Sequence, residues 1–143
     1  MKKNLTFDPK AWSTMLHDAR NAFPFECCGF LYGLETADGL RAFAEAVPVE
    51  NAQVGDQKRR FAIHEKDYMK AEKHALRTGT TLLGIYHSHP VHPAVPSIHD
   101  LRVALPYFSY LIVSVYPEGV DHVRSWQLNE TGQFFEEFIS NKS

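Results

Sequence analysis

The chain has 143 residues, enough for one compact domain with its own core and too few for two of ordinary size. Hydrophobic residues make up 44% and charged residues 22%, which excludes a disordered or fibrous class. With 15 Lys and Arg against 17 Asp and Glu, the formal charge is -2 and no basic stripe stands out, which argues against nucleic acid as the main partner.

The opening residues, Met1 to Asp8, include Lys2 and Lys3 but no apolar run behind them, so neither a signal peptide nor a membrane anchor is expected. No apolar stretch approaches the roughly 20 residues that a bilayer span requires. The only cysteines, Cys27 and Cys28, are adjacent, a spacing that rarely meets the geometry of an ordinary disulfide. Reduced thiols in a cytoplasmic protein are the expectation.

A first helix is predicted from Asp8 as cap and Pro9 at the first helical position, with Ala11, Trp12, Met15, Leu16, Ala19 and Phe23 at helical spacing and Pro24 as its stop. Cys27 to Tyr32 reads as a short buried strand closed by Gly33. Asp38-Gly39 marks a turn, and Leu40 to Val49 reads as the returning strand, with Pro48 placing its end near an edge. Asn51 to Arg60 is polar and aperiodic, an exposed loop leading to a brief strand at Phe61 to Ile63. A second helix is expected from Glu65 to Arg77, with Tyr68, Ala71, Ala75 and Leu76 as its apolar stripe and Gly79 as its C-cap. Thr80 to Tyr86 reads as a strand that delivers His87 and His89 at its C-terminal end.

Pro90, Pro93 and Pro96 then stiffen a loop, and Ser97 opens a third helix to about Leu105. Tyr110 to Tyr116 is a continuous apolar strand, Pro117-Glu118-Gly119 a turn, and Val123 to Leu128 the strand that pairs back. Asn129 to Gly132 turns again. Gln133 to Ile139 reads as a last strand, although Phe134, Phe135, Phe138 and Ile139 also fit a helical face. No repeat or linker divides the chain, so residues 1–143 are expected to form one α/β domain.

The chemistry concentrates in His87-Ser88-His89 and Asp100. Side chains at i and i+2 share a face only on an extended backbone, which a strand end provides. A catalytic zinc site commonly uses three protein ligands and keeps one position open. Neutral His87 and His89 with ionised Asp100 would leave the ion a net positive charge, able to lower the pKa of a bound water to about 7. Ser97-x-x-Asp100 is equally a helix-capping signature, and a His-x-His pair alone is more often an ordinary surface or core feature. The combination favours a metal, because Ser97 can cap the helix while Asp100 faces the ion. His92 and His99 lie nearby at spacings that do not match, and His17, His64, His74 and His122 read as surface residues. Glu26, taken alone, reads as a solvated residue at a strand start.

Three stretches together carry a family resemblance: Phe25-Glu26-Cys27-Cys28-Gly29-Phe30-Leu31-Tyr32-Gly33, then Tyr86-His87-Ser88-His89-Pro90, then Pro96-Ser97-Ile98-His99-Asp100. They closely resemble the JAMM (MPN+) metalloprotease signature, a Glu ahead of a Cys-Gly strand, then His-x-His-Pro and Ser-x-x-Asp, with Pro90 to Pro96 as the seven residues between the second His and the Ser. The resemblance covers nearly the whole chain, in the size range of stand-alone prokaryotic members. It implies a single mixed β-sheet flanked by helices, a fold similar to cytidine deaminases. It implies further that His87, His89 and Asp100 bind one Zn2+, that Glu26 is the general acid and base, and that Ser97 helps stabilise the oxyanion. Cys28 sits at the pre-glycine position of the pattern and Cys27 outside it; an inhibitory redox role for either thiol is open.

The resemblance also implies a substrate class, the bond after the C-terminal Gly-Gly of a ubiquitin-like or sulfur-carrier protein. Recognition in such enzymes resembles strand addition, and the segment around Asn51 to Phe61 is the candidate edge. Lys58, Arg59 and Arg60 suit either an acidic partner or a solvated loop. The long insertions of relatives that select a ubiquitin linkage are missing. Two alternatives stay open, a zinc hydrolase of small amides or peptides and a non-catalytic binding module of the same fold. A zinc deaminase is disfavoured, because the Pro-Cys-x-x-Cys ligand pair is missing.

Overall fold

A computed structural model describes residues 4–141; Lys2 and Lys3, on which part of the reading of the N-terminus rests, lie outside the described residues. Ten elements succeed one another: β1 (Asn4–Phe7), α1 (Pro9–Ala22), β2 (Cys28–Glu35), β3 (Arg41–Val49), α2 (Glu65–Thr78), β4 (Thr81–Pro90), α3 (Ile98–Val103), β5 (Ser109–Tyr116), β6 (Gly119–Leu128) and β7 (Phe134–Asn141). The strands form one mixed sheet in the order β1-β3-β2-β4-β5-β6-β7, and it closes on itself because β1 runs parallel to both β3 and β7. The expected mixed sheet with flanking helices is what is seen, with closure added. Among the described residues no helix is long and apolar enough to cross a membrane.

The helices divide the core in two. α1 forms where the sequence places its signals: the Asp8 carboxylate accepts the Lys10 N–H at 2.9 Å, Pro9 opens the first turn, and Ala11, Trp12, Met15 and Ala19 are buried. They pack with Leu5, Phe7, Phe43, Leu83, Leu111, Val113 and Val115 on one face of the sheet. α2 covers the other face through Ala71 and Ala75, against Phe30, Tyr32, Phe61, Leu82, Ile85 and Tyr110. Gly79 ends α2 at φ 69°, where a side chain would be strained.

Five expectations are corrected. The sequence reading places no strand at the N-terminus, yet β1 closes the sheet, with Leu5 and Phe7 buried between β3 and β7. Phe61 to Ile63 is not a strand and joins no ladder: the Ala62 N–H is taken by the Asn51 side chain and the Ala62 carbonyl by the Ala52 N–H. The strand predicted to end at Tyr86 runs on through Pro90, held by β5, so His87 and His89 stand within the ladder rather than beyond it. α3 stops at Val103 and β6 begins at Gly119, shorter and longer respectively than the periodicity suggests. For the last element, the strand reading holds: β7 pairs with β6 and β1. Pro48 does lie toward an edge, since β1 reaches β3 only at Arg41 to Phe43 and leaves β2 as the partner of the Pro48 end.

Candidate metal centre

β4 contains an irregularity that aims the histidines. The register with β2 shifts between Leu31 and Tyr32, where Leu82 and Gly84 are partners and Leu83 is the extra residue. Before it, Leu82 faces α2 and Leu83 faces α1; after it, Ile85 faces α2 and Tyr86 faces α1. A bulge of this kind re-aims the side chains beyond it. His87 and His89 therefore share the α2 face with Ile85, while Ser88 turns the other way and ties β4 to the chain ahead of β2: its Oγ accepts the Cys27 N–H at 2.8 Å and its N–H donates to the Cys27 carbonyl at 3.2 Å. That tie accompanies the placement of Glu26 in one cleft with His89.

Asp100 arrives from the other side as the third residue of α3. The capping box is fully formed: Ser97 Oγ accepts the Asp100 N–H at 3.0 Å and the Ser97 N–H donates to Asp100 Oδ2 at 2.9 Å. The same carboxylate also faces the histidines, Oδ2 lying 3.0 Å from His89 Nε2 and Oδ1 3.3 Å from His87 Nε2. The capping and metal-facing readings of Ser97-x-x-Asp100 thus coexist in one geometry.

The donor atoms fit a divalent cation. His89 Nδ1 lies 3.0 Å from the Pro93 carbonyl, an acceptor only, so the ring carries its proton there. On its other side His89 Nε2 lies 3.0 Å from Asp100 Oδ2 and 3.2 Å from His87 Nε2. Three potential ligand atoms thus converge on one point, an arrangement that a divalent cation could share. The three ligand atoms lie within 4.8 Å of one another and all three residues are buried. Burial holds His87 below its ordinary pKa despite the nearby Asp100, which keeps the imidazole neutral and available. Burial opposes ionisation of Asp100, yet its contacts with His87 and His89 and the Ser97 N–H hold its carboxyl far below the usual range. Phe61 stacks on the His87 ring at 4.4 Å and fixes its plane.

Glu26 is 5% exposed, not the solvated residue that its sequence position alone suggests. Its Oε1 is buried with no hydrogen-bond partner. Burial first, then the Asp100 and Asp56 carboxylates, push it up to about 9. It shares a cleft of about 310 Å³ with Arg59, His89, His92, Pro93, Val95 and Ser97. The Glu26 carboxyl, the Ser97 side chain and His89 thus line the same cleft.

His92 lines the cleft without joining the converging donors, and His99 is also outside that group. Cys27 and Cys28 are buried free thiols, and burial pushes both up, Cys28 to about 12, so neither offers a thiolate at neutral pH. Two histidines read as surface residues have positions of consequence. His64 caps α2, its Nδ1 accepting the Lys66 N–H. His122 Nε2 accepts the Ala94 N–H at 3.0 Å, inside the proline loop. Sequence reasoning also missed Ser88, Phe61, Pro93 and Asn51; the contacts that matter are made by backbone atoms or by partners far along the chain.

The sequence and the fold match known proteins. A profile of the prokaryotic homologs of the JAB domain matches residues 8–129. A probable TtuB-protein conjugate cleaving protease of Thermus thermophilus is 44% identical over 62 residues, which is 43% of this chain; the match spans 38% of that relative's length. Among solved structures, a Desulfitobacterium hafniense protein superposes with a TM-score of 0.84 at 33% identity, covering 97% of this chain and 93% of its own. A Salinibacter ruber protein gives a TM-score of 0.72 at 34% identity, with coverage of 99% and 91%. A JAB1/MPN domain protein of Archaeoglobus fulgidus, 21% identical with a TM-score of 0.56 over 97% and 98% of the two chains, shares the fold. The chain belongs to the Prok-JAB family, the prokaryotic homologs of the JAB domain.

Proposed function

We propose that this chain is a zinc-dependent peptidase or isopeptidase that hydrolyses the bond after the C-terminal Gly-Gly of a ubiquitin-like or sulfur-carrier protein, with His87, His89 and Asp100 as ligands. The observation that carries the reading is the unpartnered, buried carboxyl of Glu26 beside three converging metal donors. A bound zinc ion would supply Lewis-acid polarisation of a water and of the scissile carbonyl.

Glu26 takes the proton of the attacking water and passes it to the departing amine. In the metal-free chain burial and the neighbouring carboxylates push its pKa up to about 9 and favour the neutral, proton-donating form; beside a bound cation the carboxylate, which accepts the water's proton, would be favoured. Ser97 uses its oxygen lone pair to cap α3 and keeps its hydroxyl proton for donation, so it can share the charge that develops on the former carbonyl oxygen. The extended carrier tail runs along Phe61 to Ile63, which joins no ladder and borders a hollow of about 210 Å³ lined by Phe61, Ile63, Tyr68, Val103 and Tyr110. The Thermus relative, named for cleaving TtuB–protein conjugates, supports a small protein modifier as the substrate class.

The test is to load the protein with zinc, mix it with ubiquitin-like and sulfur-carrier proteins extended beyond their terminal Gly-Gly, and read intact masses beside Glu26→Gln. Cleavage after Gly-Gly that disappears in the variant is expected. A zinc-loaded protein that cuts no carrier but hydrolyses short amides would replace this reading with a small-amide hydrolase.

A further inference from the structure

Asn51 uses all of its side-chain hydrogen-bonding capacity. Its Nδ2 donates to the carbonyls of Glu26 at 3.2 Å and Arg60 at 3.1 Å, and its Oδ1 accepts the N–H groups of Gln53 and Ala62, both at 3.0 Å. Those four groups belong to three segments: the turn that carries Glu26, the loop after β3, and the stretch whose Phe61 stacks on His87.

The loop returns a second bond to the same peptide. The Glu26 N–H donates to the Gln57 carbonyl at 2.7 Å, and the Gln57 amide donates in turn to the carbonyls of Asn51 and Gln53 at 3.2 and 2.7 Å. Gly55 at φ 71° and Asp56 at φ 44° bend the loop back to make this possible. The β2 ladder starts only at Cys28, so the sheet leaves the Glu26 peptide to be held at both its N–H and its C=O by the Asn51 loop.

We infer that Asn51 is a positioning residue for Glu26: through the loop it organises, it sets the Glu26 peptide and hence the approach of that carboxyl to the His87, His89 and Asp100 donors. The inference rests on the reading of Glu26 as the proton carrier. It assigns Asn51 no contact with substrate or metal. Asn51→Asp is the informative variant, because it keeps an acceptor for Gln53 and Ala62 and loses the donors to Glu26 and Arg60.

Steady-state kinetics, zinc affinity by chelator competition, and amide hydrogen exchange would be measured on the zinc-loaded full chain and on Asn51→Asp. A misplaced reacting group costs up to about a hundredfold in rate. The expected result is a kcat lower by about 10- to 100-fold, KM and zinc affinity within about twofold, and faster exchange of the Glu26 amide while the Ser88 amide stays protected. A raised KM with kcat retained would overturn the inference and make the loop a substrate contact only; so would unchanged Glu26 exchange. Full activity in Glu26→Gln would instead sink the role of Glu26, and the exchange measurement would still decide whether Asn51 holds its peptide.

Discussion

His122 Nε2 and the Ala94 N–H are 3.0 Å apart, a contact between residues 28 apart in sequence that fixes the loop facing the metal donors. The backbone N–H can only donate, so Nε2 is bare and Nδ1 carries the proton toward Asp121 at 2.7 Å. Trp126 Nε1 donates to the Ala94 carbonyl at 3.0 Å and Ser114 Oγ to the His92 carbonyl at 2.6 Å. Between these anchors sits Pro93, whose carbonyl orients His89.

His122→Ala leaves the N–H of fully buried Ala94 unpaired, which costs about 1–3 kcal/mol. By loosening the loop that presents the Pro93 carbonyl to His89, it should also weaken metal affinity, though by less than the roughly 10- to 100-fold expected when a ligand's own hydrogen-bond partner is lost. Urea midpoints and chelator competition would read both, and a variant matching wild type in the two would show that the loop holds without this anchor.

Zinc should stabilise the fold strongly, because its three candidate ligands are brought together only in the folded chain. At a thousandfold excess over Kd the linkage gain is about 4 kcal/mol, and at about 2–4 °C per kcal/mol the Tm rises by roughly 8–16 °C. Calorimetry with and without zinc is the check. His87→Ala and Asp100→Asn should abolish the rise and His92→Ala should keep it; a rise surviving in Asp100→Asn would place the ion elsewhere.

The metal-free protein should lose stability as pH rises, because Glu26 is pushed from an ordinary 4.5 up to about 9. The folded state favours the neutral carboxyl, so its contribution is complete below about 4.5 and disappears as pH climbs through about 9. Glu26→Gln stays neutral throughout. Its urea midpoint should match wild type near pH 4 and exceed it increasingly toward pH 9. Parallel curves across that range would mean the carboxyl is better solvated than its burial implies.

Gly29 lies opposite Tyr86 in the β2–β4 ladder, and a Cβ there would overlap the Tyr86 ring. The ring cannot retreat easily: it is buried, and its hydroxyl donates to Asp18 at 2.6 Å. Gly29→Ala is expected to cost about 1–3 kcal/mol or more through overpacking, and to disturb zinc affinity because Tyr86 adjoins His87. Thermal unfolding of Gly29→Ala, alone and with Tyr86→Leu, tests this; the second change should recover part of the loss.

Helix α1 was readable in the chain because its signals are local: a carboxylate cap, a proline at the first position and an apolar stripe at 3.6-residue spacing. The convergence of His87, His89 and Asp100 was signalled by their spacing, whereas Glu26 and Ser97 were singled out only through the family resemblance. What stayed hidden depends on partners far away along the chain. β1 is four residues long and becomes a strand only because β3 and β7 flank it, with Ser140 Oγ donating to the Leu5 carbonyl from the far end of the sequence. The bulge at Leu83 has no local sign, yet it decides which face His87 and His89 share. Phe61 to Ile63 has strand-like composition but its backbone is claimed by Asn51 and Ala52. Periodicity reports which side of an element is buried; it carries no information about which backbone groups a distant side chain will satisfy, and that was settled only when the sheet closed and brought those groups together.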